Sequence, residues 1–310
     1  MCLFLFGVCF VYSFPAVLYV HELDVFMTTS ARLGGAFYLQ EALDGYAREV
    51  MPRGSEIHVY AREWFGTLDT LDVSERVYLH LVNVTDPFDW RDDEVSASNR
   101  GHAVDAHGRM QTYTVLAGLM DLQVRSTARY LLLTEDDWVP CPDALGQILH
   151  DISNLPTRMA SYRCAYGLGC LVVERFTVDA FAYWAALNGF VTPIDSLSSI
   201  FYTREDTSAA LHKFGLGSSV YDGNSELQSD ALPYVKRHLP TVHVGAVSTF
   251  RSEHHISYAH EFSCGDIFDT HSPVVRDGVA VEAVVPECFS SRFSPCSTET
   301  VERLTRLLSQ

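Results

Sequence analysis

Residues 130–143 read Tyr130-Leu131-Leu132-Leu133-Thr134-Glu135-Asp136-Asp137-Trp138-Val139-Pro140-Cys141-Pro142-Asp143. The apolar run 130–133 has the composition of a strand buried on both faces. It ends in three consecutive acids, and the two prolines beyond them are expected to stop any regular element. Adjacent like charges at the end of a buried strand repel one another unless a cation neutralises them. Hard carboxylate oxygens at a strand tip suit Mg²⁺ or Mn²⁺, ions that hold diphosphates. The plainer reading of the same residues is a solvated acidic turn.

Outward from this stretch, strands and helices alternate. Residues 24–29 form a strand that delivers Thr28, Thr29, Ser30 and Arg32. Residues 37–50 carry Leu39, Leu43, Tyr46 and Val50 at helical spacing, and Pro52-Arg53-Gly54 ends that helix. Strands follow at 56–61 and 76–84, then a polar loop at 86–108, a helix at 110–122 and the strand ending at Glu135. Another helix covers 143–152. This order predicts an α/β fold with a mostly parallel central sheet flanked by helices. Ligands of such sheets collect at the C-terminal ends of the strands, so Thr28 to Arg32, Glu63 and Glu135 to Asp137 are expected to share one rim.

The second half is less regular. Tyr166-Gly167-Leu168-Gly169 leads into a strand at 170–173, and the helix at 176–187 carries an aromatic stripe that reads as core. Pro193-Ile194-Asp195 opens a further helix, with Asp195 placed to act as its N-cap. A strand at 240–244 delivers His243 and Gly245, and the chain after His260 is rich in turns and cysteine.

The 310 residues are 47% hydrophobic and 20% charged, enough for a large core. The formal charge is -17 and the only lysines are Lys213 and Lys236, which argues against nucleic acid or an anionic membrane surface as partner. A divalent cation would still let so acidic a chain hold a nucleotide diphosphate. The leader, residues 1–20, is apolar and long enough for a membrane-spanning signal-anchor, although it lacks a positive n-region. The alternative is that 17–20 already belong to a core strand. Asn83-Val84-Thr85 is a glycosylation sequon. Beyond the leader stand Cys141, Cys164, Cys170, Cys264, Cys288 and Cys296. Their even number permits three disulfides, or buried thiols, and Cys164 and Cys170 are near enough to close a local loop.

Four segments together resemble the GT-A glycosyltransferases, and specifically the N-acetylglucosaminyltransferase IV family. They are Thr29-Ser30-Ala31-Arg32 with Tyr38-Leu39-Gln40-Glu41-Ala42-Leu43, then residues 130–137, then Pro193-Ile194-Asp195-Ser196-Leu197, then His243-Val244-Gly245 with Ser248. The GPI-anchor N-acetylgalactosamine transferase shares this layout and is the nearest rival. The third segment departs from the family, having Ser196 and Ser198 where it carries Trp and Leu, and this places the acceptor in question.

The resemblance implies a GT-A-type nucleotide-diphospho-sugar transferase domain at 21–260 with a C-terminal extension at 261–310. It implies a UDP-sugar donor, a glycan acceptor (an N-glycan or glycolipid), a Mn²⁺ or Mg²⁺ cofactor and a Golgi or ER lumenal setting. Asp137 and His243 would ligate the metal, although a core role for His243 is the other reading. Glu135 would order the loop and Asp136 would face the ribose or sugar. Thr29, Arg32, Glu63 and Arg109 would contact the donor, the arginines toward phosphate. Asp195 would be the general base of an inverting transfer of a HexNAc, GlcNAc first. A catalytically inactive GT-A binding module is the competing class. A metal-dependent phosphohydrolase would need further His/Asp clusters.

Overall fold

The computed structural model describes residues 2–5, 8–11, 21–30, 38–63, 66–82, 106–165, 167–188, 194–203, 231–236, 238–245, 263–266 and 284–286. Arg32, the sequon at Asn83, the loop at 86–105, Cys288 and Cys296 lie outside them. In chain order the elements are β1 (Cys2–Leu5), β2 (Val8–Val11), β3 (His21–Thr29), α1 (Leu39–Val50), β4 (Ile57–Ala61), β5 (Val77–Leu81), α2 (Ala106–Arg125), β6 (Ala128–Glu135) and β7 (Trp138–Pro140). Then come α3 (Ala144–Ser153), β8 (Met159–Arg163), β9 (Leu171–Glu174), α4 (Val178–Asn188), α5 (Ile194–Thr203), β10 (Leu232–Lys236), β11 (Thr241–His243) and β12 (Val284–Pro286).

Eight strands form the central sheet in the order β12-β10-β8-β9-β6-β3-β4-β5. β6, β3, β4 and β5 run parallel, as do β8 and β10. β9 runs antiparallel between β6 and β8, and β12 antiparallel to β10. The expected mostly parallel sheet is therefore present, with reversals at β9 and at the edge strand β12. At β9 the reason is local: the segment from Cys164 to Cys170 joining β8 to β9 is too short for a parallel crossover, which needs a dozen residues or more.

Period-two alternation sorts the two faces. Val25, Met27 and Leu132 join α1 and α3 in one core, with Leu39, Leu43, Tyr46, Leu145 and Ile148. Phe26, Leu131 and Leu133 join α2, α4 and α5 in the other, with Leu116, Leu119, Phe181, Trp184 and Phe201. Layers on both faces explain why β3 and β6 are nearly continuous apolar runs. Phe181 and Trp184 are core as expected, whereas Phe176 precedes the helix and is exposed.

Three expectations are corrected. Pro140 does not end regular structure, because Trp138–Pro140 pairs antiparallel with Thr241–His243 in a separate two-stranded ribbon. A proline is tolerated there because an edge position needs no donor from it. The polar stretch before residue 110 is not all loop, since α2 begins at Ala106. Asp195 is not the N-cap of its helix: α5 begins at Ile194, so Asp195 lies inside the first turn.

β1 and β2 form an antiparallel hairpin of their own, Cys2 opposite Val11. Among the described residues no helix is long and apolar enough to cross a membrane. Two disulfides are present. Cys164–Cys170 closes the β8–β9 loop, and Cys141–Cys264 ties the segment after β7 to the C-terminal region.

Candidate active site

The site begins where β3 and β6 end side by side, Thr28 opposite Glu135. The chain turns at Asp136 and Asp137, and the Asp136 amide donates to Thr28 O at 3.1 Å. Thr29 Oγ1 donates to Asp136 Oδ2 at 2.6 Å, between buried groups. A buried carboxylate held by a hydroxyl and its own backbone cannot swing into solvent. Asp136 and Asp137 are both buried, so the solvated-turn reading of the acids is set aside.

After the turn the chain runs into β7, whose pairing with β11 sets His243 opposite Trp138. The Val244 amide donates to Asp137 O at 2.8 Å, and His243 Nε2 stands 3.2 Å from Asp137 Oδ2. The indole of Trp138 lies against the imidazole, ring centres 5.0 Å apart. Gly245 is required by this crowding: a Cβ there would collide with Asp137 Oδ2.

The disulfide-closed loop between β8 and β9 forms the opposite wall. A Cβ at Gly169 would run into the Trp138 ring, so only glycine lets the indole lie on that backbone. Thr134 Oγ1 donates to Gly169 O at 2.9 Å and is itself held by Tyr46 OH at 3.2 Å. Full burial pushes the Tyr46 phenol far above its ordinary pKa, so this hydroxyl stays a donor. Two residues earlier in the loop, the backbone at Gly167 faces Asp195, its Cβ direction 3.8 Å from Asp195 Oδ2. Arg163 holds the same turn by donating to Gly167 O at 2.7 Å. One short loop thus touches Trp138, beside Asp137, and Asp195.

The structure brings Thr29, Asp136, Asp137 and His243 together, with Asp195 on the adjoining loop. Gln111 of α2 donates to Glu135 Oε1 at 3.5 Å, which places the start of α2 at the same rim. Arg109, two residues earlier, is buried inside the protein with 1% of its surface exposed. Glu63 follows β4 at the rim and is exposed. Arg32 lies outside the described residues.

Asp137 and His243 fit a divalent cation. Neighbouring ligands in an octahedral shell with bonds of ~2.0–2.1 Å stand about 3 Å apart, close to the 3.2 Å between Asp137 Oδ2 and His243 Nε2. A carboxylate with an imidazole suits Mn²⁺ better than Ca²⁺.

A second cluster was not foreseen. Asp24, Glu56 and His58 bring ligand-type atoms within 4.8 Å of one another at the other end of the sheet. Asp24 precedes Thr28 by four residues on the same strand, ~13 Å at ~3.3 Å per residue, so this is not the turn at Asp137. Burial pushes His58 below the ordinary imidazole pKa, against the pull of Asp24 and Glu56, and does the same to His80. The signal was in the sequence: Asp24 is an acid inside an apolar strand, and Glu56 and His58 share one face two residues apart.

No known protein family matches the sequence, and no curated protein does. Solved structures give slight likenesses. S. aureus TarS in complex with UDP-GlcNAc is 12% identical, with a TM-score of 0.30, over 46% of this chain and 34% of that one. The mannosyltransferase PcManGT from Pyrobaculum calidifontis, in complex with GDP-Man and Mn²⁺, is 14% identical, with a TM-score of 0.37, over 61% and 54%. A Drosophila beta-1,4-galactosyltransferase 7 mutant, in complex with manganese, UDP-Gal and xylobiose, is 11% identical, with a TM-score of 0.31, over 67% and 69%. The chain thus spans about a third of the length of TarS. Likenesses this slight carry no functional argument, so function is read from the chain's own residues.

Proposed function

We propose that the protein is a glycosyltransferase of the GT-A type, metal-dependent and using a nucleotide-sugar donor. The observation that carries this reading is the buried Asp136–Asp137 turn at the C-terminal end of β6, with Thr29 fixing one acid and His243 facing the other. An α/β sheet presents its ligands at that end. Within the class, the four-segment resemblance narrows the reading to an inverting transfer of a HexNAc, GlcNAc first, from UDP to a glycan acceptor.

Asp137 and His243 would hold the divalent cation, which would supply charge neutralisation for the departing diphosphate. Thr29 keeps Asp136 aimed at the ribose or sugar. Glu135 steadies the rim through Gln111. Asp195, on the far side of the Gly167 loop, takes the proton from the acceptor hydroxyl as it attacks the anomeric carbon. Trp138 and the bridged loop wall the site and exclude water from the donor. The two disulfides favour an oxidising compartment, in keeping with a lumenal enzyme.

The test is a panel of UDP-sugars with and without Mn²⁺, read by melting temperature and by UDP release. A ligand at about 100 times its dissociation constant stabilises by roughly 2.7 kcal/mol, a readily measured shift. Mn²⁺-dependent stabilisation by UDP-GlcNAc with slow UDP release supports the reading. Stabilisation without UDP release marks a binding module, and no stabilisation by any UDP-sugar defeats the proposal.

A further inference from the structure

Where β3 and β4 begin, Asp24 and Glu56 stand side by side on the face that α2 covers. Asp24 is fully buried, inside an otherwise apolar strand. Its oxygens are fixed from three sides: the Glu56 amide donates to Oδ1 at 2.8 Å, His21 Nε2 lies 2.5 Å from Oδ1, and Ser126 Oγ donates to Oδ2 at 2.6 Å. Glu56 receives Tyr78 OH on Oε1 at 3.4 Å and faces His58 Nε2 through Oε2 at 3.3 Å. The other nitrogen of His58, Nδ1, meets His80 Nε2 at 3.0 Å. Rings stack on both sides of His58, with Tyr78 at 5.0 Å and His80 at 5.3 Å between centres.

Two features set this cluster apart from a buried ion pair. Among the described residues, the ion-pair partners of both acids are imidazoles, His21 for Asp24 and His58 for Glu56, rather than arginine or lysine. Two adjacent carboxylates, one of them fully buried, repel each other, and Arg125 and Arg76 act on the cluster without pairing either acid, so a divalent cation would relieve the repulsion. The second feature is orientation. A ligating histidine ordinarily has its outer nitrogen held by another group, and ligating carboxylates are hydrogen-bonded in turn. Here His80 holds His58 Nδ1, while Ser126 and the Glu56 amide hold Asp24. The 3.3 Å between Glu56 Oε2 and His58 Nε2 equals the edge of a tetrahedron with bonds of ~2.0 Å. The Glu56 side chain is 30% exposed, so an ion can enter past it.

We propose that Asp24, Glu56 and His58 form a second divalent-metal site, of the zinc class, independent of the nucleotide pocket. Mixed imidazole and carboxylate ligands select zinc-like ions over Ca²⁺ and Mg²⁺. Three protein ligands leave one position to water. The ion ties the starts of β3 and β4 and so stabilises the fold.

The test uses the tag-free full chain, stripped with chelator, and titrates it with Zn²⁺ and with Co²⁺ as a visible-band reporter. The variants are Asp137→Asn, to remove the proposed nucleotide-site metal, Glu56→Gln and His80→Phe. Near-isosteric Glu56→Gln is partly exposed and keeps the polar contacts, and circular dichroism verifies folding. The expected result is one Zn²⁺ bound by Asp137→Asn, and the same site filled in wild type beside any ion held at Asp137 and His243, with tetrahedral Co²⁺ bands and a raised melting temperature. Glu56→Gln, made in the Asp137→Asn background, should lose that binding. His80→Phe, which preserves a stacked ring but removes the outer nitrogen, should weaken it by about 10–100-fold. Equal Zn²⁺ affinity in Asp137→Asn and in the Asp137→Asn/Glu56→Gln double variant overturns the proposal, as does an Asp137→Asn protein that binds no Zn²⁺. Failure of the nucleotide reading leaves this titration unaffected, so the two are separable.

Discussion

At the scale of single residues, Thr29, Asp137 and Asp195 have separable duties. Asp137→Asn keeps the side-chain volume and removes the anionic ligand that faces His243 at 3.2 Å. Mn²⁺-dependent binding of UDP-GlcNAc should fall to background in that variant while circular dichroism stays unchanged, and calorimetry with and without Mn²⁺ checks it. Thr29→Val removes the hydroxyl that donates to Asp136 Oδ2 at 2.6 Å. Leaving a buried acceptor short of a donor costs about 1–3 kcal/mol, so denaturant unfolding should show a loss of that size. Asp195→Asn should lower transfer by about 10²–10⁴-fold with donor affinity nearly unchanged. Because Asp195 lies within the first turn of α5 rather than at its cap, this change also forfeits a helix-dipole interaction of about 0.3–1 kcal/mol. A transfer rate equal to wild type would remove Asp195 from the mechanism.

At the scale of elements, the site depends on two small pieces that meet through a single indole, with no side chain on the loop's part of the contact. The β7–β11 ribbon carries Trp138 and His243, and the β8–β9 loop presses its backbone on the indole at Gly169. A methyl group at Gly169 has nowhere to go except into that ring. Gly169→Ala should therefore destabilise by about 1–3 kcal/mol, the usual range for overpacking. It should also weaken Mn²⁺-dependent donor binding, because the indole packs on His243. Melting temperature and donor affinity measured on the same variant check both effects. The ribbon was hard to foresee because Pro140 and Pro142 read as terminators, and a lone three-residue strand has no periodicity to recognise.

At the scale of the whole molecule, the C-terminal region is joined to the rest by more than chain continuity. β12 adds an antiparallel edge to the sheet at β10, and Cys264 reaches Cys141 across a separation of 123 residues. Leu239 N donates to Asp266 O at 2.9 Å beside that bridge. Loops of this length restrict the unfolded chain strongly, so Cys264→Ser should cost about 2–4 kcal/mol. Denaturant unfolding of the variant checks the magnitude. Thiol counting on unreduced, denatured protein should find Cys141, Cys164, Cys170 and Cys264 unreactive.

Local composition determined the alternating strands and helices of the first half and the buried strand that ends in Glu135-Asp136-Asp137, and it allowed the local bridge from Cys164 to Cys170 that the structure contains. Each of these depends on neighbours in the chain: an apolar run on both faces, a helical repeat, two cysteines within reach. Tertiary structure decided the rest. The partnership of Thr29 with Asp136 and of His243 with Asp137 spans 107 and 106 residues, and no local pattern encodes such a distance. Arg109 shows the same limit from the other side. Its burial follows from the packing of α2 and could not be read from its charge. The cluster at Asp24, Glu56 and His58 exists only because parallel pairing of β3 and β4 sets Val25 beside Ile57, bringing together acids that are 32 residues apart in sequence. Hydrogen-bond register between strands is a property of the assembled sheet, and it is register that turns scattered acids and histidines into sites.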